Sequence, residues 1–375
     1  MIKAQKYRSY PTKEQEQLLA QTFGCVRVVY NKLLEYRKDS FFKEKKKVDY
    51  PESSKVLTEL KNKEEFSWLN DVSAVPLQQT LRHLQTAYKN FWDKRAKYPT
   101  FKKKHSKQSA EFSKSAFTFK DGKLYIAKSK EHLNIVWSKE LPSEPSTITI
   151  SKDPFGRYFV SMRCEFEPVK LKTNNKTIGF DLGIKDAIVT SDNQKSGNPK
   201  FTKKYETKLT YHQRKLSKKK KGSSNFNKAK RKVAKIHAKI ADSRRDFTHK
   251  LTTKLIRDNQ TICVEDLAVK NMIRNPKLSK HIADVNWGEI VRQLKYKAEW
   301  YGRNLIVIDR FFPSSKQCSN CNWVVDRLTL DIRQWKCPKC STEHDRDINA
   351  SKNILAAGLA VSACGATESG VAIAI

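Results

Sequence analysis

Four cysteines constrain this chain most, because they are spaced as Cys318-x2-Cys321-x15-Cys337-x2-Cys340. Each CxxC pair can present two thiolates to one tetrahedral ion, and the 15-residue span returns the chain to that ion. Four free cysteines are an alternative, and a redox pair would need a helix start behind one CxxC. The spacing favours zinc. Since protein fills all four positions, we expect a structural zinc ribbon over residues 311–344 that does no chemistry.

The remaining cysteines are single and scattered, at Cys25, Cys164, Cys263 and Cys364. Together with the paired set, this pattern indicates a reducing compartment instead of a disulfide framework. No apolar run reaches the length of about 18 residues that a spanning helix needs, and Met1 to Tyr10 lacks the apolar region of a signal peptide. We expect a soluble, cytoplasmic protein.

The chain is strongly basic, with 75 Lys and Arg against 39 acids and a formal charge of +36. A polyanion such as nucleic acid would relieve the resulting repulsion. Residues 203–250 alone carry 18 Lys or Arg and three acids. A charge run is often only a solvated helix face, but here acids are too few to offset the repulsion, so phosphate contact is favoured. Lys218–Lys221 and the Gly222-Ser223-Ser224 that follows predict a break between two basic helices.

Residues 11–104 have the pattern of a helical domain. Thr12 and Gln15 fit a capping box at the start of the first helix. Apolar residues then recur at helical spacing in two stripes, which predicts packing between helices in preference to base stacking. The stripes are Leu19, Phe23, Val26, Tyr30 and Leu33, and Leu77, Leu81, Leu84, Tyr88 and Phe91.

From about residue 105 the period changes to two. Asp121-Gly122 lies between two short strand patterns and predicts a hairpin. Thr147–Lys152 and Arg157–Phe166 form a second predicted pair. We expect a small antiparallel β-barrel, completed by the strand-like Ile2–Tyr10 and followed by a linker over Lys170–Lys176.

The third region mixes strands and helices, which makes the whole chain multi-domain α+β. It is predicted to begin with one strand over Thr177–Ser191 and to continue through the basic helices. A short strand over Thr261–Glu265, a helix over Trp287–Tyr301 and a strand over Asn304–Asp309 follow.

Three acids stand out in this region. Asp181 follows Ile178-Gly179-Phe180 in an apolar strand, where a lone carboxylate is costly unless it is paired or binds a metal; a turn aspartate is the alternative. Glu265 ends a strand, although a helix-start acid would look the same. Asp347 opens the last helix, where Asp345 would be the N-cap and Asp347 an ordinary first-turn acid.

Taken together, the three acids indicate more than each does alone. Strand ends and a helix start let distant segments converge on one pocket, as a carboxylate-bound Mg²⁺ site requires. Phosphodiester hydrolysis needs a charge clamp on the attacking and leaving oxygens, which two Mg²⁺ about 3.5–4 Å apart supply.

At these residues the chain resembles TnpB, an insertion-sequence-encoded family related to type V CRISPR nucleases. The resemblance runs nearly full length and is most specific in the stretches on either side of the cysteines. It is carried by Tyr10-Pro11-Thr12 with Phe23-Gly24-Cys25, Gly179-Phe180-Asp181-Leu182-Gly183, Val264-Glu265-Asp266-Leu267, Phe312-Pro313-Ser314-Ser315-Lys316-Gln317-Cys318 and Asp345-Arg346-Asp347-Ile348-Asn349-Ala350.

The resemblance implies a helical recognition lobe, a wedge-like β-barrel and an RNase H-like (RuvC) nuclease domain into which the zinc ribbon is inserted. It places Asp181, Glu265 and Asp347 on the family's three catalytic positions, with Mg²⁺ as the catalytic metal. It also implies a guide RNA, derived from the element's own end, that directs cleavage of double-stranded DNA beside a short adjacent motif in a prokaryotic cell. The implied domains are 1–10 with 105–172 (barrel), 11–104 (helical), 173–310 with 345–375 (nuclease) and 311–344 (ribbon).

Two other functions remain open on the residues alone. A transposase that joins DNA ends would use the same type of carboxylate site. An RNA-guided binder that represses transcription would need no site, and the presence of all three acids argues against it. No GxxxxGK[ST] phosphate loop occurs, so we expect no ATP requirement.

Overall fold

The computed structural model describes residues 1–104, 107–329, 331–363 and 371–373. Cys364 and the first two residues of the predicted barrel region, 105 and 106, lie outside that description. The chain divides into two compact units, residues 1–167 and 168–375. This division falls just before the predicted linker. The finer four-domain division stays a prediction.

The first unit combines a helical layer with antiparallel strands. The predicted capping box is confirmed, since the Thr12 hydroxyl accepts a hydrogen bond from the Gln15 amide and Gln15 Oε1 accepts one from the Thr12 amide. Both apolar stripes are confirmed as core, except that Phe91 is only partly buried. The elements are β1 (Ile2–Ser9), α1 (Lys13–Glu44), α2 (Tyr50–Asn62), α3 (Ala74–Trp92), β2 (Gln108–Ser113), β3 (Phe117–Lys120), β4 (Lys123–Ile126), β5 (Ile135–Val136), β6 (Thr147–Lys152) and β7 (Tyr158–Glu165), with a 3-10 helix at Glu64–Asn70.

The strands of this unit form a five-stranded antiparallel sheet in the order β2-β6-β7-β1-β5, and a separate β3-β4 hairpin. The predicted hairpin turn is confirmed, because Asp121 and Gly122 both have positive φ, at 51° and 71°. The N-terminal strand joins the sheet as predicted, along the whole of β7. No pairing among the described residues closes this sheet into a barrel, so the barrel prediction is not confirmed.

The second unit is an α/β layer structure. Its sheet has the order β14-β11-β10-β8-β9, in which β8, β10, β11 and β14 are parallel and β9 is antiparallel to β8. The elements are β8 (Thr177–Asp181), β9 (Val189–Thr190), α4 (Phe201–Ser217), α5 (Ser224–Asp258), β10 (Thr261–Glu265), α6 (Val269–Met272), α7 (Pro276–Val285), α8 (Trp287–Tyr301), β11 (Asn304–Ile308), β12 (Gln334–Lys336), β13 (Glu343–Asp345), α9 (Arg346–Ala363) and β14 (Val371–Ile373).

The prediction of one strand over Thr177–Ser191 is wrong. The chain turns back after Asp181, and the Gly183 amide donates to the Ala187 carbonyl oxygen at 3.4 Å. A hairpin results in which Asp181 pairs with Val189. Because both arms of this hairpin are apolar, the residue pattern alone did not reveal the turn.

Helices cover both faces of the sheet, since alternate residues of each strand point to opposite sides. Ile262 and Val264 of β10 pack with residues of α5, α7 and α8. Cys263, between them, packs with Ile354 of α9 on the other face. Helix α9 lies so close to β8 that a Cβ at Gly179 would be 2.5 Å from the Ser351 carbonyl oxygen. Only glycine permits this approach.

The two basic helices form where the sequence predicts them, with the break at residues 218–223. Helix α5 buries Ile236 and Ile240, whereas α4 has no fully buried residue. Most lysines of these helices are exposed to solvent. Across the described part of the chain, the helices are all too short or too polar to cross a membrane.

Candidate carboxylate and zinc sites

The structure places the three predicted acids around one edge of the second unit's sheet. Asp181 and Glu265 are the last residues of β8 and β10, which are adjacent parallel strands, so both lie at the same carboxyl-terminal edge. Asp347 lies in the first turn of α9, the helix that packs on β8. The prediction that two strand ends and one helix start carry these acids is confirmed.

The acids are near enough to perturb one another. Burial, and secondarily the charge of Asp347, raise the pKa of Asp181 to about 6. Burial, and secondarily the charge of Asp181, raise the pKa of Glu265 to about 7. Two carboxylates that are desolvated beside like charge favour protonation or a cation.

Basic side chains also reach this edge. Arg333 Nη1 donates to both carboxylate oxygens of Asp347, at 3.2 and 3.4 Å. Asp345 is the helix cap, as predicted, because its Oδ1 accepts from the amides of Asp347 and Ile348 at 3.0 and 3.1 Å. Its other oxygen accepts from Lys195 Nζ at 2.8 Å. Asp345 is thus occupied in structural contacts, whereas burial and a neighbouring acid disfavour the charged forms of Asp181 and Glu265.

The donor set fits a hard divalent cation, because Mg²⁺ takes carboxylate oxygens and a bound cation would offset the burial and the repulsion that raise both pKa values. The three carboxylates do not form one close ligand set. Among the described residues, only the four cysteines make a group of three or more possible ligands with all ligand atoms within 4.8 Å of one another. If two ions share the three carboxylates, the carboxylates need not lie as close together as they would around a single ion.

The four cysteines come together as their spacing predicts. Cys318 and Cys340 Sγ atoms are 3.6 Å apart, as are those of Cys321 and Cys337. Zn–S bonds of about 2.3 Å at tetrahedral angles put the sulfurs about 3.8 Å apart, whereas a disulfide would require about 2 Å. The cluster therefore has the dimensions of a zinc-thiolate site. The antiparallel strands β12 and β13 flank the second CxxC, and β13 leads directly into α9, which carries Asp347.

Comparisons with known proteins divide the chain into three matched segments. Residues 161–276 match a family model described as "Probable transposase". Residues 287–354 match one described as "Cas12f1-like, TNB domain". Residues 1–46 match one described as "Helix-turn-helix domain", and there the structure has β1 and the single long helix α1.

Relatives match over nearly the whole chain. A protein of Acanthamoeba polyphaga mimivirus named "TnpB-like protein L79" is 24% identical over 96% of this chain and 74% of its own length. A protein of Streptomyces pristinaespiralis named "Putative RNA-guided DNA endonuclease" is 51% identical over 97% of this chain and 91% of its own length. The chain belongs to the TnpB family. An Escherichia coli K12 relative, "Putative RNA-guided DNA endonuclease InsQ", is 30% identical over 97% and 94% of the two chains.

The fold of this TnpB-family chain also matches a solved structure titled "Cryo-EM structure of the Cas12f1-sgRNA-target DNA complex". The TM-score is 0.58 at 14% identity, with 92% of this chain and 83% of that chain covered. At this identity the match concerns the fold alone. It confirms the coarser part of the α+β prediction, a multi-domain chain that mixes helices and strands.

Sequence reasoning missed three residues of this TnpB-family chain that contact the predicted site residues. Ser314 Oγ donates to Glu265 Oε2 at 3.3 Å, Arg333 contacts Asp347 as described, and His344 Nε2 is 3.1 Å from Cys318 Sγ. Each is distant in sequence from its partner. The one available signal was the position of Ser314 inside a stretch shared with the family.

Proposed function

We propose that this chain is an RNA-guided, metal-dependent DNA endonuclease whose Asp181, Glu265 and Asp347 bind Mg²⁺. The observation that carries the proposal is the coupling of these carboxylates at one sheet edge, with the pKa values of Asp181 and Glu265 raised to about 6 and about 7. A bound cation would offset both the cost of burying these charges and the repulsion between them. The names of the relatives support RNA guidance and DNA as substrate.

The acids would act by holding the metal where β8, β10 and α9 meet. Two Mg²⁺, when bound, would supply positive charge to the attacking and leaving oxygens of a phosphodiester. Asp181 and Glu265 are fixed by the sheet, and Asp347 by the capped first turn of α9. Rigid elements of this kind hold metal ligands in place better than loops do.

The basic helices α4 and α5 would contact nucleic-acid phosphates. Their exposed lysines have few acids to neutralise them: residues 203–250 contain only Glu206, Asp242 and Asp246. In the proposed division of labour, helices 11–104, the β region and α4–α5 bind guide RNA and target DNA. The nuclease region 173–310 with 345–375 cuts the DNA next to a short adjacent motif, and zinc in the ribbon is structural. The guide would derive from the end of a transposable element, and no ATP would be required.

The test replaces each acid separately by alanine and measures guided cleavage and guided DNA binding side by side. Loss of a metal-binding charge can cost several kcal/mol in the transition state, so cleavage is expected to fall by at least about a thousandfold. RNA retention and DNA binding should survive. Substantial cleavage by Asp181→Ala, Glu265→Ala or Asp347→Ala would break the assignment, and loss of binding in step with cleavage would mean that the acids serve folding.

Asp345→Ala tests whether the third metal ligand is Asp347 or Asp345. Because Asp345 caps α9 and pairs with Lys195, its loss should reduce stability more than cleavage. If Asp345→Ala abolished cutting while Asp347→Ala did not, the third ligand would lie two residues earlier. Sequencing the RNA that copurifies with the protein tests the guide, since one discrete species is expected and random fragments would contradict it.

DNA strand transfer is the second candidate, because residues 161–276 match the model described as "Probable transposase". Both reactions would use the same carboxylates, so only the products distinguish them. Guided hydrolysis predicts free 3′-hydroxyl and 5′-phosphate ends. Joined ends, recovered by amplification across new junctions, would favour strand transfer. A repressor without nuclease activity would retain guided binding and show no difference between parent and Asp181→Ala.

A further inference from the structure

The loop that follows β11 links the carboxylate edge to the zinc ribbon. It runs from Phe312 to Cys318, the first cysteine of the four. In this loop Ser314 is 5% exposed and donates its hydroxyl proton to Glu265 Oε2 at 3.3 Å. The side chain of Ser314 thus points at one of the proposed metal ligands, while four residues further on the backbone enters the zinc site.

Two buried asparagines of α9 hold this loop. Asn353 Nδ2 donates to the carbonyl oxygens of Ser314 and Gln317, at 2.8 and 2.6 Å. Asn349 Nδ2 donates to Gln317 at 2.7 Å, and its Oδ1 accepts from the Ser319 amide at 2.9 Å. Asn349 is 1% exposed and Asn353 is 2% exposed. Burying a side-chain amide is costly unless it is hydrogen-bonded, and these bonds offset that cost.

The spacing of the pair explains its geometry. Asn349 and Asn353 are one helical turn apart, so they lie on the same face of α9. Asn349 contacts both sides of Cys318, through Gln317 before it and Ser319 after it. Asn353 contacts Gln317 and also Ser314, the residue that reaches Glu265. Helix α9 carries Asp347 in its first turn. One helix therefore supplies one proposed ligand and fixes the loop that touches another.

We propose that Asn349 and Asn353 are positioning residues that hold the Ser314 hydroxyl against Glu265 and join the first zinc knuckle to the carboxylate site. The inference rests on the proposed function, since it assumes that Glu265 binds Mg²⁺. Neither asparagine touches a proposed ligand carboxylate. Asn353 acts through Ser314, and Ser314 orients Glu265 by its hydrogen bond.

Hydrogen bonds to metal-binding carboxylates tune metal affinity, and their loss typically costs 10–100-fold in affinity or activity. The role of Ser314 is tested in the full-length, zinc-loaded, RNA-bound protein by titrating Mg²⁺ in a guided cleavage assay. Ser314→Ala is expected to raise the Mg²⁺ concentration for half-maximal cleavage about tenfold. Ser314→Thr keeps the hydroxyl and should restore most of the affinity. Zinc content and guided DNA binding, measured without Mg²⁺, should match the parent in both variants.

The role of Asn353 is tested with Asn353→Leu, which keeps the side-chain volume and removes the donor. It should raise the half-maximal Mg²⁺ concentration by a similar factor and leave one zinc per chain, because all four cysteines remain. Leu359→Ala, at an exposed position of the same helix, is the matched control and should behave as the parent. If Asn353→Leu does not fold, an unchanged Mg²⁺ dependence in Ser314→Ala would still overturn the proposal.

A double-mutant cycle then separates transmission through Ser314 from general weakening of the protein. If Asn353 acts through Ser314, the combined Ser314→Ala and Asn353→Leu variant should need little more Mg²⁺ than either single variant. Fully multiplicative effects would overturn the positioning role, as would an unchanged Mg²⁺ dependence in Ser314→Ala. Asp181→Ala separates failure of the proposed function from failure of this inference. If Asp181→Ala still cleaves DNA, the proposed function fails. If it is inactive while Ser314→Ala has the Mg²⁺ dependence of the parent, only this inference fails.

Discussion

Replacing Asp181 by asparagine should stabilise the metal-free protein while abolishing cleavage. The carboxylate ends β8 where it is largely desolvated and close to the negative charge of Asp347, and these effects raise its pKa to about 6. An asparagine has nearly the same shape without the charge. The folded protein would therefore no longer bear the cost of keeping this carboxylate ionised above pH 6.

The magnitude follows from the pKa shift. A rise from the ordinary value of 3.8 to about 6 corresponds to about 3 kcal/mol at 1.36 kcal/mol per pKa unit. Asp181 retains partial exposure to solvent, which screens part of this energy. We therefore expect Asp181→Asn to raise the free energy of unfolding by about 1–2 kcal/mol at pH 8.

The sign of the pH dependence provides a second readout. Because the folded-state pKa values of Asp181 and Glu265 are raised, the folded protein binds more protons than the unfolded chain between about pH 4 and about pH 7. Their contribution makes the parent less stable as pH rises through this window. In Asp181→Asn that decline should be smaller, also because the charge that helps to raise the pKa of Glu265 is gone.

Urea unfolding at about pH 5.5 and about pH 8 measures both effects. The buffer should contain neither magnesium nor a chelator, so that the cysteine site keeps its ion. Asp326→Asn, which removes an exposed carboxylate from the same unit, is the control and should change stability by less than about 0.5 kcal/mol. The reasoning is refuted if Asp181→Asn is no more stable than the parent at pH 8, or if it shows the parent's full pH dependence.

Three further predictions concern the ribbon, the basic helices and the sheet. Cys337→Ser should lose bound zinc and lower the melting temperature, because a tetrahedral zinc needs all four thiolates. One zinc per chain with unchanged melting would contradict the four-cysteine assignment. Neutralising the four lysines at 218–221 should flatten the slope of log affinity against log salt by up to a few units, at about 0.7–0.9 per phosphate contact. An unaltered slope would mean that these lysines are only exposed to solvent and do not contact phosphates. Gly179→Ala should cost about 1–3 kcal/mol of stability, since its Cβ would meet the α9 backbone at 2.5 Å; unchanged urea unfolding would mean that α9 moves aside freely.

The sequence predicted elements best where a short-range rule applied. The capping box at Thr12, the Asp121-Gly122 turn and the helix over Trp287–Tyr301 depend on neighbouring residues only, and all are confirmed. The single strand over Thr177–Ser191 was wrong because a tight hairpin with two apolar arms has the same residue pattern as one buried strand. Closure of a barrel depends on pairing between strands distant in sequence, and the described residues show an open sheet.

The sequence alone determined which atoms can bind metal here. Cysteine spacing defines the thiolate cluster, and the ends of apolar strands mark Asp181 and Glu265. Tertiary structure decided what surrounds them: Arg333 on Asp347, Ser314 on Glu265, and the α9 asparagines on the loop between the two sites. These partners are separated by 14 to 49 residues in sequence. Local sequence patterns indicate propensity and periodicity, but they do not show that α9 packs across the sheet. That packing, which Gly179 permits, brings these side chains together.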